Sequence, residues 1–82
     1  MDSELTAIAR SLHHTMTVSM TTAEDLAREC AEMVVLADRD GNQGMADVLR
    51  HLGRSHRIKA LELAGRLALL EEQYHTLLRP NV

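Results

Sequence analysis

Histidine and methionine residues lie close together near the start of the chain, in the stretch HHTMTVSMTT. His13, His14, Met16 and Met20 carry imidazole and thioether groups, which are ligands that suit copper(I). Neighbouring residues of a helix point about 100° apart, so only one of the two histidines could join the methionines. Methionine at regular apolar spacing is usually core filler. The pattern therefore favours packing over a copper site.

A second group of titratable residues is predicted further along the chain. His56 falls between Leu52 and Leu63 on an apolar stripe, with Lys59 one turn later. If the chain reverses near its middle, two residues whose numbers sum to about 83 lie at the same height along the two helices, here called the level relation. This relation places Glu24 beside His56 and Lys59. Buried charges are costly unless paired, so we expect Glu24, His56 and Lys59 to form one polar layer. The alternative is a metal site for iron, zinc or manganese, with Glu24 and His56 as ligands from each of two subunits.

The elements that must position these residues are two long helices. The segment Asp40–Gln43 is the one strong break, because Gly41 can adopt the left-handed conformation and Asn42 can cap the next helix. We predict helices over about residues 3–39 and 44–78. The chain is thus expected to be all-α, a single domain over its 82 residues, and a long antiparallel helical hairpin.

The second helix is predicted from apolar residues that recur at steps of three, four or seven. A helix of this length would extend on the order of 50 Å. Pro80 ends it, because the residue before a proline is displaced from the helical region. The stripe consists of Met45, Leu49, Leu52, His56, Leu63, Leu67, Leu70, Tyr74 and Leu77.

The first helix carries a similar stripe, which keeps its phase through the threonine-rich segment 15–22. Threonine is a poor helix former, and Thr21 with Glu24 three residues later fits a capping box that would begin a new helix. The unbroken phase favours one bent helix, and a break in 15–22 is the alternative. The stripe consists of Leu5, Ile8, Leu12, Met16, Met20, Ala23, Leu26, Cys30, Met33 and Ala37.

A further stripe on the second helix predicts a partner. Ile58, Leu61, Gly65 and Ala68 form a second contact face, with small residues that permit close approach. A chain of 82 residues with one Tyr and no Phe or Trp has a marginal core. We therefore expect a homodimer or higher homo-oligomer, in which two hairpins form an antiparallel four-helix bundle.

Composition excludes several classes of protein. Cys30 is the single cysteine, which excludes an internal disulfide and an all-cysteine zinc site and favours the reducing cytoplasm. No leader is expected, and no apolar run approaches the roughly 18 residues of a membrane span. A net charge of −3 predicts no general attraction to nucleic acid or acidic lipid.

Arginines of the second helix are expected to make ion pairs across the hairpin. The level relation places Arg54 near Glu29, Arg57 near Asp25, and Arg50 near Glu32 or Met33. No aromatic residues interleave this basic stripe of arginines, so we interpret it as a solvated, paired surface rather than a nucleic-acid site.

The segment GNQGMADVLRHLGRSHRIKALELAGRL, residues 41–67, resembles the second helix of a ferritin-like or rubrerythrin-like helical pair. In that family a Glu-x-x-His pair and a glutamate on the preceding helix hold a di-iron site. Here the pair reads His56-x-x-Lys59, and the preceding glutamate corresponds to Glu24. A protonated lysine cannot be a ligand. The resemblance thus implies the half-bundle architecture without the complete metal motif.

The segment HRIKALELAG is similar to the phosphorelay motif of histidine-phosphotransfer domains. His56, Ile58 and Lys59 match that motif, and Ala60 stands in the place of a glycine. The resemblance implies a phosphoryl carrier with an exposed nucleophilic imidazole at His56. The inward position predicted for His56 opposes this interpretation.

These observations lead to one main interpretation of function. The chain is expected to be a homo-oligomeric helical-bundle interaction or scaffold protein with no catalytic residues and no cofactor, because it contains no nucleotide loop or catalytic-triad spacing. The alternatives are the phosphoryl carrier using His56 and the metal-binding half-bundle using Glu24 and His56.

Overall fold

Two long helices joined by a short turn make up the structure. The computed structural model describes residues 3–78, in which α1 is Ser3–Arg39 and α2 is Gln43–Leu78. The helices lie antiparallel in a body of 61 × 18 × 18 Å. The expected all-α helical hairpin is confirmed, whereas Pro80, the predicted end of the second helix, lies outside the described residues.

Helix α1 continues through the threonine-rich segment 15–22 without a break. The Thr17 hydroxyl donates a hydrogen bond to the His13 carbonyl at 2.8 Å, and the Thr22 hydroxyl donates one to the Val18 carbonyl at 2.9 Å. Threonine in a helix can satisfy its hydroxyl in this way, one turn back along the same helix. The alternative of a new helix capped by Thr21 is therefore not found.

The turn between the helices depends on a glycine and an asparagine. Gly41 has a φ of 75°, which lies in the left-handed region that favours glycine. The Asn42 N–H donates to the Ala37 carbonyl at 2.8 Å, which satisfies an acceptor at the end of α1. The Asn42 Oδ1 accepts from the Met45 N–H at 3.1 Å and so caps α2. The structure confirms the roles predicted for both residues.

The surface along which α1 and α2 touch, here called the seam, consists mainly of small side chains. Its residues recur at alternating steps of three and four, the spacing of an antiparallel helix pair with a coiled-coil repeat. Among residues 3–78, six of the nine buried hydrophobic residues are alanines. These nine are Ala9, Ala23, Ala27, Ala37, Ala46, Leu49, Ala60, Leu63 and Leu67.

The two helices approach each other closely where Gly53 faces Cys30. A Cβ atom at Gly53 would lie 3.2 Å from the Cys30 Cβ and 3.8 Å from the Ala27 carbonyl oxygen. Small residues in the seam permit this approach, but they bury little apolar area each. Consequently no large side chain in the described part of the chain is fully buried.

The predicted core stripes are wrong for several of their largest members. Leu12, Leu26, Met33, Met45 and Leu52 are exposed in the hairpin instead of lying between its helices. The predicted stripes combine two sides of each helix, because members such as Leu49, Leu63 and Leu67 are buried on the seam while the exposed ones lie on the adjoining side. His56 does lie on the seam and is half-buried there.

Candidate functional site

The long apolar side chains outside the seam collect on one side of the hairpin. Several directly precede a seam residue, such as Met33 before Val34 and Met45 before Ala46, and these positions of an antiparallel pair share one side. We call this side the apolar face. Its members are Leu5, Ile8, Leu12, Leu26, Met33 and Leu36 on α1 and Met45, Val48, Leu52 and Leu69 on α2, all exposed.

Two shallow grooves mark the ends of the apolar face. At the turn, Met33 and Leu36 of α1 lie beside Met45 of α2 in one groove. At the open end, Leu12 of α1 lies beside Leu69 of α2 in the other. Both grooves are lined from both helices, so each end of this side presents apolar side chains from α1 and α2.

The middle of the apolar face is more polar than its ends. Lys59, Glu62 and Arg66 of α2 occupy this stretch, and Glu29 of α1 adjoins it. Arg66 lines the groove at the open end. Lys59 and Glu62 directly precede seam residues, as Arg66 does, so all three lie on this side of α2. With Asp40, which lines the groove at the turn, this side carries two positive and three negative charges, so its net charge is −1.

The opposite side of the hairpin, here called the charged side, contains a basic groove of about 240 Å³. Its arginines are Arg50, Arg54 and Arg57, and Ala31 is among the small residues that leave the space between the helices. Arg50 makes an ion pair with Asp38 across the hairpin, and its own helix supplies a further acid. The groove therefore lies beside one cross-hairpin ion pair, with Arg54 and Arg57 exposed along it.

The predicted cross-hairpin ion pairs are not formed among the described residues, and Arg50 pairs with Asp38 instead of lying against Glu32. Within residues 3–78, Arg54 and Arg57 have no ion pair to Glu29 or Asp25. Asp25 instead accepts a hydrogen bond from Arg28 one turn later, and this bond raises the pKa of the Arg28 guanidinium. An ion pair between residues three apart on α1 forms within one helix, so it needs no alignment between the two helices.

The hairpin does not bring the predicted polar layer together. Glu24 is exposed on the charged side and lines a groove with Arg28 and Arg57. Lys59 is also exposed, and it lies about 200° around the helix from Arg57, on the apolar face. His56 is half-buried between these two sides, without a hydrogen bond to either residue.

The structure places the predicted metal ligands as follows. Among the described residues there is no group of three or more His, Cys, Asp or Glu side chains that could hold an ion. A site with Glu24 and His56 from each of two subunits stays a prediction. In the HHTMTVSMTT stretch, Met16 and Met20 are half-buried on the seam, and the His13 Nε2 lies 3.5 Å from the Glu71 Oε1 across the hairpin.

The predicted interface stripe lies on the outer surface of α2. Ile58 is 51% exposed and Leu61 is 68% exposed, and Gly65 and Ala68 are exposed as well. A Cβ atom at Gly65 would meet nothing within 4 Å. The stripe is therefore accessible in a single hairpin, but only two of its members are long apolar side chains.

Sequence reasoning missed the apolar face as one surface. The signal that could have found it is the position of long apolar residues directly before small ones, as in Leu26-Ala27, Met45-Ala46 and Leu52-Gly53. In such a pair the small residue suits a close seam and the long one lies beside it.

Within the described residues, neither helix is both long and apolar enough to cross a membrane.

Comparison with known proteins adds no relative: no protein-family model, curated protein or solved structure matches the chain. The resemblances to ferritin-like helical pairs and to histidine-phosphotransfer domains stay predictions.

Proposed function

We propose that this chain is a self-associating helical-bundle protein that serves as an interaction or scaffold module. Two copies would form a four-helix bundle, ferritin-like in shape. One observation carries this proposal: among residues 3–78, six of the nine buried hydrophobic residues are alanines, whereas ten larger apolar side chains on one side of the hairpin are exposed.

The energetics support a need for a partner. Full burial of a leucine side chain stabilises a protein by about 1.5–3 kcal/mol, and alanine contributes much less because it has less area to bury. A domain of this size has little surplus stability when its core is small. Exposed apolar patches rimmed by polar residues, such as the two ends of the apolar face, are typical of protein–protein interfaces. Association would supply the apolar burial that the hairpin lacks.

The alternative functions have less support from the geometry. A phosphoryl carrier needs an imidazole that is open to attack, whereas His56 is half-buried on the seam. A metal-binding half-bundle would require Glu24 to approach His56 from the charged side, or from a second subunit. The cytoplasmic location, expected from the single cysteine Cys30, stays a prediction.

The test of this proposal is the mass of the protein in solution. Sedimentation equilibrium from low micromolar to millimolar concentration should give a mass of at least two chains of 9.2 kDa each. The thermal unfolding midpoint should rise with protein concentration, because association stabilises the folded form by mass action. A mass of one chain over the whole range, with a constant unfolding midpoint, would contradict the proposal.

A further inference from the structure

We infer that a second copy of this chain binds to the apolar face, with the turns of the two hairpins at opposite ends of the bundle. The inference rests on the proposed self-association and specifies its surface and orientation. It selects the apolar face over the outer stripe that contains Ile58 and Leu61.

The dimensions of the apolar face suit another hairpin. The body is 61 Å long and 18 Å wide, so one whole side exceeds the roughly 800 Å² that each partner contributes to a stable interface. Apolar grooves occur at both ends of this side. A short peptide would cover one end only, whereas a second hairpin covers both. A two-fold dimer uses the same surface on both copies, and a face with apolar patches at both ends permits this.

The charges of the apolar face also favour a second copy. Lys59 and Arg66 lie with Glu29, Glu62 and Asp40, so the face carries both signs of charge and its net charge of −1 gives a strongly acidic or basic partner little attraction. A second copy presents the same mixed set. The remaining requirement is an alignment in which opposite charges meet.

The register within one hairpin determines which residues can meet. Gly53 is level with Cys30, and His13 is level with Glu71, so positions on α1 and α2 can be compared along the bundle. A two-fold axis perpendicular to the bundle and midway between Lys59 and Glu62 places Lys59 against the partner's Glu62. Symmetry then forms this ion pair twice.

The same axis aligns the apolar residues at the two ends. Leu12 and Met33 lie at equal distances on either side of it along α1, so Leu12 meets the partner's Met33. Leu52 and Leu69 are related in the same way along α2. An axis parallel to the bundle, with both turns at one end, would instead place Lys59 between the partner's Thr22 and the partner's Leu26, so the Lys59–Glu62 ion pair would not form. The geometry therefore favours turns at opposite ends.

A matched pair of substitutions on α2 tests the surface. Leu52, 43% exposed, lies on the apolar face, and Leu61, 68% exposed, lies on the outer stripe. Leu52→Glu should raise the dimer dissociation constant roughly a hundredfold or more, because each dimer would bury two carboxylates near the apolar contact. Leu61→Glu should change it less than about threefold, as expected for an exposed substitution. Circular dichroism at high concentration would show whether each variant keeps its helices.

The outcomes separate this inference from the proposed function. A dimer that Leu61→Glu dissociates and Leu52→Glu leaves intact would overturn the choice of surface and retain self-association. A dimer that neither change weakens would also overturn the choice of surface. A wild-type protein that remains monomeric would overturn the proposed function itself.

The orientation is tested by one spin label, which does not depend on the folding of an interface variant. The label is attached at Val35→Cys in a Cys30→Ala background, because Val35 is exposed and lies away from the apolar face. Turns at opposite ends predict a distance between labels of roughly 40 Å, given 1.5 Å per residue and helix axes about 10 Å apart. Turns at the same end predict about 20 Å. A measured distance near the shorter value would overturn the orientation.

Discussion

Two glycines of α2 allow the close packing of the seam to be measured directly. Gly53 lies on the seam, where a Cβ would be 3.2 Å from the Cys30 Cβ, and Gly65 lies on the outer surface, where a Cβ would meet nothing within 4 Å. Both are in the interior of the same helix. Replacing each by alanine therefore makes the same chemical change in two different surroundings.

The expected magnitudes follow from these surroundings. Alanine is favoured over glycine in a helix interior by about 0.8–1.0 kcal/mol, and Gly65→Ala should gain this in full. For a domain of this size the gain corresponds to a rise of about 4–8 °C in the unfolding midpoint. Gly53→Ala gains the same helix propensity but forces its methyl group against Cys30, and overpacking of this kind costs about 1–3 kcal/mol. The net change for Gly53→Ala should lie between neutral and about 2 kcal/mol destabilising.

Thermal and urea unfolding of the two variants, at one fixed protein concentration, would measure the difference. The double change Gly53→Ala with Cys30→Gly should recover about 1 kcal/mol relative to the sum of the single effects, because it removes the opposing Cβ. If Gly53→Ala stabilises the protein as much as Gly65→Ala does, the helices are not closely packed at this point and the reasoning about the seam is refuted. If Gly65→Ala destabilises the protein, the outer surface of α2 is covered by a partner.

Three further substitutions test other parts of the structure. Asn42→Ala should cost about 1 kcal/mol of unfolding free energy by removing the cap of α2, and an unchanged urea midpoint would contradict that role. Ala31→Glu should stabilise the hairpin by about 0.3–0.5 kcal/mol by placing a carboxylate beside Arg54 and Arg57, and the gain should disappear in high salt. His56→Leu should leave the unfolding free energy unchanged or higher, because the half-buried imidazole has no hydrogen bond in the described structure. If His56→Leu instead abolishes retention of iron, zinc or manganese, measured by elemental mass spectrometry, the metal-binding alternative is favoured, and loss of acid-labile phosphate transfer would favour the carrier.

Local signals in the sequence determined the architecture. Apolar periodicity of 3.6 residues over two long segments predicted two helices, and Gly41 with Asn42 predicted the turn between them. These features are local, because a helix forms its hydrogen bonds within four residues and a turn depends on the φ values of a few. The continuity of α1 through residues 15–22 was favoured but left open, since the sequence did not show that Thr17 and Thr22 would bond to carbonyls of their own helix.

Only the tertiary structure decided which of the predicted stripe residues form the seam. Long residues such as Met33 and Leu52 have larger transfer free energies than Ala27 or Gly53, so hydropathy ranks them as core. Two helices in close contact instead favour small side chains between them, and this is a property of the pair that neither helix carries alone. The same choice separates Glu24 from Lys59, because a seam that lies between them directs one to the charged side and the other to the apolar face. The sequence by itself thus determined the helices and their turn, and the close approach of the helices decided which residues stay available for a partner.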